Sequence, residues 1–182
     1  MGAPVRPMTG GEIAMARLLF RDAIDYGRVR IYGRGFLWFG LQHPHVAISP
    51  NGNIYFTAAR YLDDFSTSTP GNQHWFIHEM VHVWQYQLGY PVLLRGAIRL
   101  FLPYDYVLAA HKRLSDYNME AQGELLADYF ALRFLGVRKV KAGGEARSDT
   151  LADYEQVLSG FLDRPAEKAH LPRMASWPWR QA

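Results

Sequence analysis

Residues 76–89 read FIHEMVHVWQYQLG, which places two histidines and a glutamate on one predicted apolar helix. Residues four apart on a helix are separated by one turn plus about 40°, so His78 and His82 can reach one ion from the same face. Glu79 flanks that ion, where its carboxylate can take a proton from a bound water. Neutral imidazole suits Zn²⁺ in tetrahedral geometry, so the spacing predicts a zinc site.

The helix that carries these residues is predicted to be buried and to have clear ends. Pro70 is tolerated at the first position of a helix, and Gly89 followed by Pro91 favours a stop after residue 88. The other residues of the helix are apolar almost all round, which is typical of a core helix. Buried imidazoles and a buried carboxylate need partners, and a metal ion would supply them. Hydrogen bonds to backbone or tyrosine are the alternative.

The chain contains no cysteine, which excludes disulfides, thiolate zinc fingers and iron–sulfur clusters and leaves His, Asp or Glu as the third ligand. The predicted fourth helix offers Glu120, Glu124 and Asp128 at successive i, i+4 positions on one face. Stacked acids repel one another at neutral pH unless a cation or solvent absorbs their charge. This face is therefore either a solvated ridge or the second wall of a metal site.

Two motifs in this order resemble the gluzincin group of metallopeptidases. H-E-x-x-H is the pattern of zinc metallopeptidases, and Glu124-Leu-Leu-Ala-Asp128 resembles the E-x-x-A-D form of the downstream helix. More narrowly, the chain resembles the small bacterial Vgr-related or Rhs-associated metallopeptidases that are linked to type VI secretion. The segments that carry this resemblance are Thr9-Gly-Gly-Glu12, FRDAIDYGRVRI (20–31), PNGNIYF (50–56), FIHEMVHVWQYQLG (76–89) and DYNMEAQGELLADYF (116–130).

The resemblance leaves two assignments of the third ligand open. The segment around Glu120 resembles the family's E-Q-Q pattern, with Ala121 in place of the first Gln, and this favours Glu120 as the ligand. The E-x-x-A-D pattern favours Glu124 instead, with Asp128 orienting one of the histidines. In either case the other carboxylate is expected to accept a hydrogen bond from a metal-bound histidine. Both glutamates therefore remain candidate metal ligands.

Other polar side chains near the motif have weaker claims to a role. His74 lies one helical turn before His78 and is too far away for the same ion, so it is expected to line the cleft or bind backbone. His43 and His45 are expected at the surface. Peptide hydrolysis normally needs a group that stabilises the oxyanion, and Tyr117 is chosen from the candidates Tyr104, Tyr106, His111 and Tyr117. The alternative for each tyrosine is a place in the core with its hydroxyl at the surface.

Composition bounds the class of protein. The 182 residues are 49% hydrophobic and 20% charged, which is typical of one folded domain and not of a disordered chain. A net charge of +3 is weak evidence for nucleic-acid binding, so no nucleic-acid partner is expected. No stretch approaches about 18 uncharged apolar residues, so no membrane partner is expected. The N-terminus lacks a Sec signal, which predicts a cytoplasmic chain that a non-Sec secretion system can export.

The cap and turn signals predict a predominantly helical α+β fold of zincin-like type, with a small sheet packed on the H-E-x-x-H helix. Further helices are predicted over residues 10–25, over 91–102, from Ser115 or Asp116 to Gly136, and from Ser148 or Asp149 to Pro165. Asn51-Gly52 between two short apolar runs predicts a hairpin. Residues 1–182 are expected to form one metallopeptidase domain, with 165–182 as a packed C-terminal tail.

The hypothesised function is peptide hydrolysis by a zinc metallopeptidase. Zn²⁺ held by His78, His82 and either Glu120 or Glu124 would acidify a water, and Glu79 would take its proton and pass it to the leaving amine. The resemblance implies a peptide or protein substrate and secretion-system partners of the Vgr or Rhs type. One alternative is a degenerate zincin that serves as a structural or adaptor component of a secretion system, although such a site would need no general base. Another is a nucleic-acid-binding module, suggested only by a pI of about 9.2 and by Arg-rich patches.

Overall fold

The computed structural model describes residues 4–36, 47–97, 103–142, 145–146 and 148–173. The strands within these ranges are β1 (Val5–Pro7), β2 (Arg30–Tyr32), β3 (Ile54–Tyr55), β4 (Lys141–Ala142) and β5 (Glu145–Ala146). The α-helices are α1 (Gly10–Phe20), α2 (Pro70–Gln87), α3 (Val92–Ala97), α4 (Met119–Phe134) and α5 (Leu151–Asp163). The architecture is α+β and mainly helical, as the sequence predicts. In the described part of the chain, no helix has both the length and the apolarity needed to cross a bilayer.

Over the ranges that the structure describes, the main sheet has three strands in the order β1-β2-β3, and β3 contacts α2. β1 and β2 are antiparallel, whereas β2 and β3 are parallel, with Ile31 opposite Ile54. Within the described residues, from 47 onward, the predicted hairpin consists of one antiparallel bridge, between Ile48 and Tyr55, around Gly52 with a φ of 78°. The turn before β3 contacts the central helix, where Gly52 packs against the ring of Tyr86. β4 and β5 form a separate antiparallel pair.

The central helix α2 begins and ends where the sequence predicts. The Thr69 side chain caps its first turn by accepting a hydrogen bond from the N–H of Asn72, and Pro70 is its first residue. Gly89, with a φ of 95°, follows its C-terminus. Residues 76–85 are all buried because α2 packs most extensively on α4 and also contacts α1, α3 and β3. Any polar group on this stretch must therefore find its partners inside the protein.

Several helix boundaries differ from the sequence prediction. α1 ends at Phe20, well before residue 25, because Arg21 adopts a φ of 49° that leaves the helical region. The N-cap of α4 is Asn118 instead of Ser115 or Asp116, and that of α5 is Thr150 instead of Ser148 or Asp149. In both helices the capping side chain accepts hydrogen bonds from backbone N–H groups of the first turn.

Some predictions concern residues outside the described ranges. These are the end of the third helix at 98–102, the pair His43 and His45, and residues 174–182 of the predicted tail. The described part of the tail contacts the rest of the protein. Trp84 Nε1 donates to the carbonyl of Pro165 at 2.8 Å, and α2 is thereby joined to the segment that follows α5.

The motif Thr9-Gly-Gly-Glu12 joins β1, α1 and the chain before α2 through one buried carboxylate. Glu12 accepts hydrogen bonds from Arg6 Nη1 and Nη2 at 2.8 and 2.7 Å. It also accepts from the backbone N–H groups of Thr9 and Phe65, each at 2.9 Å. Donors on both oxygens offset the cost of burying this charge. The carboxylate therefore links segments that are distant in sequence through hydrogen bonds.

Glu12→Gln is expected to lower the free energy of unfolding by about 3 kcal/mol. Glutamine keeps the shape of the side chain but leaves Arg6 without its anion, and its NH₂ group faces N–H donors. Urea denaturation followed by circular dichroism measures this loss. Arg17→Gln is the matched control, because the Arg17–Asp22 pair is exposed and should contribute less than about 1 kcal/mol. Equal losses in the two variants would contradict this role of Glu12.

Candidate metal centre

Helices α2 and α4 bring two imidazoles and one carboxylate to a single buried point. His78 Nε2 lies 3.5 Å from Glu120 Oε2, and His82 Nε2 lies 3.4 Å from the same oxygen. One ligand atom from each of these residues lies within 4.8 Å of the other two, and all three side chains are buried. Two imidazoles and one carboxylate form a donor set that Zn²⁺ accepts in catalytic sites. The arrangement could hold one metal ion between the two helices.

The second ring nitrogen of each histidine has a different acceptor. His78 Nδ1 lies 3.2 Å from Glu124 Oε2, and His82 Nδ1 lies 2.9 Å from Gln85 Oε1. An acceptor at Nδ1 favours a proton there, so in the neutral form of each ring Nε2 offers its lone pair to the point shared with Glu120. Both tautomers are assigned from these hydrogen bonds. Glu124 thus contacts the edge of the His78 ring that carries Nδ1, and Glu120 contacts the edge that carries Nε2.

Two buried glutamine amides orient His82. Gln85 Nε2 donates to Gln122 Oε1 at 3.0 Å and to the carbonyl of Met119 at 3.2 Å, so its Oε1 is the end that faces His82. Gln122 Nε2 donates in turn to two backbone carbonyls, at 2.8 and 2.9 Å. Because an amide has distinct donor and acceptor ends, these bonds select one orientation of each side chain. Sequence reasoning missed both glutamines, whose signal is their spacing, three residues after His82 and two after Glu120.

Gly123 lets the His78 ring lie against the backbone of α4. A Cβ atom built at Gly123 would lie 2.7 Å from Cε1 and 2.9 Å from Nε2 of His78, which is closer than non-bonded atoms approach. Any larger residue at this position would displace the ring. From this position the ring reaches both Glu120 and Glu124. Sequence reasoning missed Gly123, although a glycine in the middle of a helix is unfavourable and usually has a packing reason.

The centre carries an excess of negative charge. Burial lowers the pKa of His78, but hydrogen bonds with Glu120 and Glu124 and the charge of Glu79 outweigh this effect and raise the pKa to about 10. Burial also acts to raise the pKa of Glu124, yet the hydrogen bond and charge of His78 bring it below its usual value. Carboxylates around two imidazoles therefore favour a cation, and a metal ion would take the place of the proton on His78.

His82 gives a second, independent indication that the centre favours a cation. Among the described residues, the buried Nε2 of His82 has no hydrogen-bond partner. Leaving such a buried polar atom unsatisfied costs about 1–3 kcal/mol. This nitrogen lies beside the point shared by His78 and Glu120, where a metal ion would accept its lone pair. The residues present therefore fit a bound Zn²⁺ ion.

Glu79 is buried beside these ligand candidates, with only 1% of its surface exposed. Ser49 Oγ donates a hydrogen bond to Glu79 Oε2 at 2.8 Å, and Ser49 is buried as well. Ser49 precedes β3 and is remote from Glu79 in sequence. Sequence reasoning missed this contact because a serine before a proline carries no signal of its own beyond a turn.

Tyr117 and Tyr104 lie in different surroundings. The hydroxyl of Tyr117, whose side chain is buried, donates to the carbonyl of Val107 at 2.9 Å. The ring of Tyr104 stacks on His78, with the ring centroids 5.9 Å apart, and 42% of the residue is exposed. The structure thus brings Tyr104 into contact with a histidine of the centre.

His74 and Asp128 form a pair beside the centre. His74 Nε2 lies 2.8 Å from Asp128 Oδ1, and Asp128 Oδ2 accepts a hydrogen bond from Tyr106 at 2.5 Å. His74 therefore binds a carboxylate, whereas the sequence analysis expected it to line the cleft or bind backbone. Ligand atoms of His74, Glu124 and Asp128 also lie within 4.8 Å of one another. The histidine that Asp128 contacts is His74, which lies one turn before the motif.

Comparison with known proteins relates the chain to type VI secretion. No family model matches it. The type VI secretion system spike protein VgrG2b of Pseudomonas aeruginosa is 43% identical over an alignment of 133 residues, and the match covers 69% of this chain but only 13% of that protein. The solved structure of the effector domain of Pseudomonas aeruginosa VgrG2b matches with a TM-score of 0.65 and 36% identity, over 86% of this chain and 81% of that one. With most of both chains aligned at this identity, the chain belongs to the family of the VgrG2b effector domain.

Proposed function

We propose that the chain is a zinc-dependent metallopeptidase domain of zincin-like fold, spanning residues 1–182 and hydrolysing peptide bonds of a protein substrate. The observation that carries this proposal is the convergence of His78 Nε2, His82 Nε2 and Glu120 Oε2 at one buried point. Glu79 supports catalysis over a purely structural metal site, which would need no general base. Membership in the family of the VgrG2b effector domain supports a secretion-associated role.

In this proposal the metal ligands are His78, His82 and Glu120, and Glu124 orients His78. The contact of Glu124 with Nδ1 supports this division, because a carboxylate at Nδ1 makes Nε2 a better and better-directed ligand. Glu120 Oε2 is the carboxylate oxygen near the Nε2 atoms of both histidines. Two neutral imidazoles and one carboxylate leave the Zn²⁺ site with a net charge of +1, which favours an acidic bound water.

The proposed mechanism assigns proton transfer to Glu79. Bound Zn²⁺ would supply the Lewis acidity that polarises the scissile carbonyl and acidifies a water. Glu79 would accept the proton of that water and pass it to the leaving amine. Because the Tyr117 hydroxyl is bound to a backbone carbonyl, we assign contact with the oxyanion to Tyr104, whose ring stacks on His78. The exposed part of Tyr104 supports this assignment, since a substrate must reach it.

The proposal extends to partners and location through the family alone. The VgrG2b relative is described as a spike protein of the type VI secretion system. We therefore propose that secretion-system proteins of the Vgr type are partners, and that export does not use the Sec pathway. The substrate would be a peptide or protein in the compartment to which the domain is exported.

Metal analysis combined with peptide cleavage tests the proposed function. The purified protein is loaded with zinc, dialysed and analysed for metal, and then assayed against a quenched fluorescent peptide library. We expect about one zinc ion per chain and a cleavage activity that a chelator removes and added zinc restores. Zinc without cleavage would favour the degenerate zincin with an adaptor role. Absence of zinc binding would overturn the proposal.

The affinity for zinc is expected to rise with pH between about 7 and 9, by about tenfold per unit. The raised pKa of His78, about 10, means that a proton occupies this imidazole in the metal-free protein throughout this range. The proton must leave before Nε2 can bind a metal, so a higher pH favours binding. Isothermal titration calorimetry in buffers of different ionisation enthalpy should count about one released proton per zinc at pH 8. Binding without proton release would contradict the charge balance described above.

A further inference from the structure

The hydrogen bond between Ser49 and Glu79 is an interaction that the motif and its ligands do not require. The donor Ser49 Oγ and the acceptor Glu79 Oε2 are 2.8 Å apart, and the two residues are 2% and 1% exposed. A carboxylate in such a site needs a donor, because burial without one costs free energy. Ser49 lies outside α2 and α4, so the bond joins the helix of the centre to a third segment of the chain.

The turn that carries Ser49 is held by bonds that do not involve the centre. Immediately before Ser49, the N–H and carbonyl of Ile48 bond to the carbonyl and N–H of Tyr55 at 3.2 and 3.0 Å. Asn51 Nδ2 donates to the hydroxyl of Tyr55 at 3.1 Å. Asn53 Oδ1 accepts the N–H of a β2 residue at 2.9 Å, which joins the turn to the sheet. Ser49 is therefore presented from a preformed turn.

The same turn also packs on α2 at a second place. Gly52 lies so close to Tyr86 that a Cβ atom at Gly52 would be 2.7 Å from the ring. Tyr86 is seven residues after Glu79, which places the two contacts about 10 Å apart along the helix. Because the turn contacts α2 at two positions along the helix axis, both its position along the axis and its orientation relative to α2 are fixed. The Ser49 hydroxyl therefore has a defined position beside the carboxylate.

A hydroxyl at this position affects how Glu79 can use its two oxygens. The terminal torsion of a glutamate is broad, so an unrestrained carboxylate samples many orientations. The bond from Ser49 fixes Oε2 and thereby directs Oε1, the oxygen left to take a proton from the attacking water. General-base catalysis requires this oxygen within hydrogen-bond reach of the water, and misplacement by about 1 Å can cost about 100-fold in rate.

We propose that Ser49 is a positioning residue for the general base, whose hydroxyl orients the Glu79 carboxylate for proton transfer. This inference rests on the proposed peptidase function. Ser49 touches neither substrate nor metal in this account and acts only through Glu79. It follows that loss of the hydroxyl lowers kcat, while KM and zinc content stay unchanged because neither the substrate contacts nor the ligands are altered.

The test compares three substitutions in the zinc-loaded full chain, using the peptide that the wild type cleaves best in the library. Ser49→Ala removes the donor without adding atoms, and Ser49→Thr keeps a hydroxyl. Asn51→Ala is the matched control. It removes side-chain bonds of the same turn, leaves the two backbone bonds between Ile48 and Tyr55 in place and does not touch Glu79. Each protein is measured for kcat, KM, zinc content and melting temperature. Ser49→Cys, with a similar volume and a weak donor, replaces Ser49→Ala if that variant does not fold.

We expect Ser49→Ala to lower kcat by about 10- to 100-fold with unchanged KM and zinc content, and Ser49→Thr to recover most of the loss. Asn51→Ala should keep the wild-type kcat, because the backbone bonds between Ile48 and Tyr55 still hold Ser49 beside Glu79. Wild-type kcat in Ser49→Ala would overturn the inference while leaving the peptidase proposal intact. Equal losses of kcat in Ser49→Ala and Asn51→Ala, accompanied by lower melting temperatures, would also overturn it, because the role would then be structural. A wild type that cleaves no peptide would instead overturn the proposed function itself.

Discussion

Replacing Glu79 with glutamine is expected to lower kcat by about 1,000-fold or more while leaving zinc binding intact. The amide has almost the shape of the carboxylate and its oxygen can still accept the hydrogen bond from Ser49, so the buried site keeps its packing. What the amide cannot do is take up a proton from the attacking water. Cleavage of the best library peptide gives kcat, and metal analysis of the same preparation gives zinc content.

The control for this variant is Glu155→Gln, which removes one negative charge from an exposed position of α5. This variant should retain wild-type kcat, zinc content and melting temperature. A Glu79→Gln variant that keeps more than about a tenth of the activity would show that proton transfer is not the task of Glu79. Parallel loss of zinc and activity would show instead that the carboxylate is needed to form the site.

The two candidate glutamates are expected to respond differently to the same substitution. Glu120→Gln should leave the protein without tightly bound zinc, because a charged ligand atom is lost from the point where both Nε2 atoms meet. Glu124→Gln should weaken zinc binding by only about 10- to 100-fold, since it alters the acceptor for His78 Nδ1 and removes no ligand. Both changes preserve side-chain volume, so differences in packing are kept small.

Competition with a chromophoric chelator measures the zinc affinity of each variant. Gln85→Leu is a useful companion, because it removes the acceptor at His82 Nδ1 and should resemble Glu124→Gln in size of effect. The reverse order, with zinc retained in Glu120→Gln and lost in Glu124→Gln, would transfer the role of third ligand to Glu124. Retention of wild-type affinity in both variants would exclude a glutamate as the third ligand.

The features that sequence alone predicted well are those that depend on local signals. The span of α2 follows from Pro70, Gly89 and its continuous apolar surface, and the structure gives it those ends. The i, i+4 spacing placed His78 and His82 on one face. The type VI resemblance, carried by short segments along most of the chain, agrees with the match to VgrG2b. Each of these signals lies within a single element or a contiguous run of residues.

The features that sequence could not predict depend on how elements meet. Spacing puts Glu120 and Glu124 on the same face of α4. Which ring nitrogen of His78 each glutamate contacts depends on the position of α4 along the axis of α2. Ser49 reaches Glu79 only because the turn before β3 lies on α2. The sequence does not distinguish Gln85 from the other polar residues of its helix, because its role depends on the hydrogen bond with Gln122 in α4. No local pattern encodes these distances.

The glycine beneath the His78 ring has a practical consequence for anyone who redesigns this chain or searches for its relatives. Exchanging a helical glycine for alanine is a standard route to thermostability, with a gain of up to about 1 kcal/mol. At Gly123 that exchange would displace the His78 imidazole, so the usual gain in stability would be lost and the proposed metal would lose a ligand. The same glycine is useful in sequence searches. A chain with H-E-x-x-H followed by E-x-x-G-E has room for the first histidine of the motif to pack directly on the backbone of the second helix.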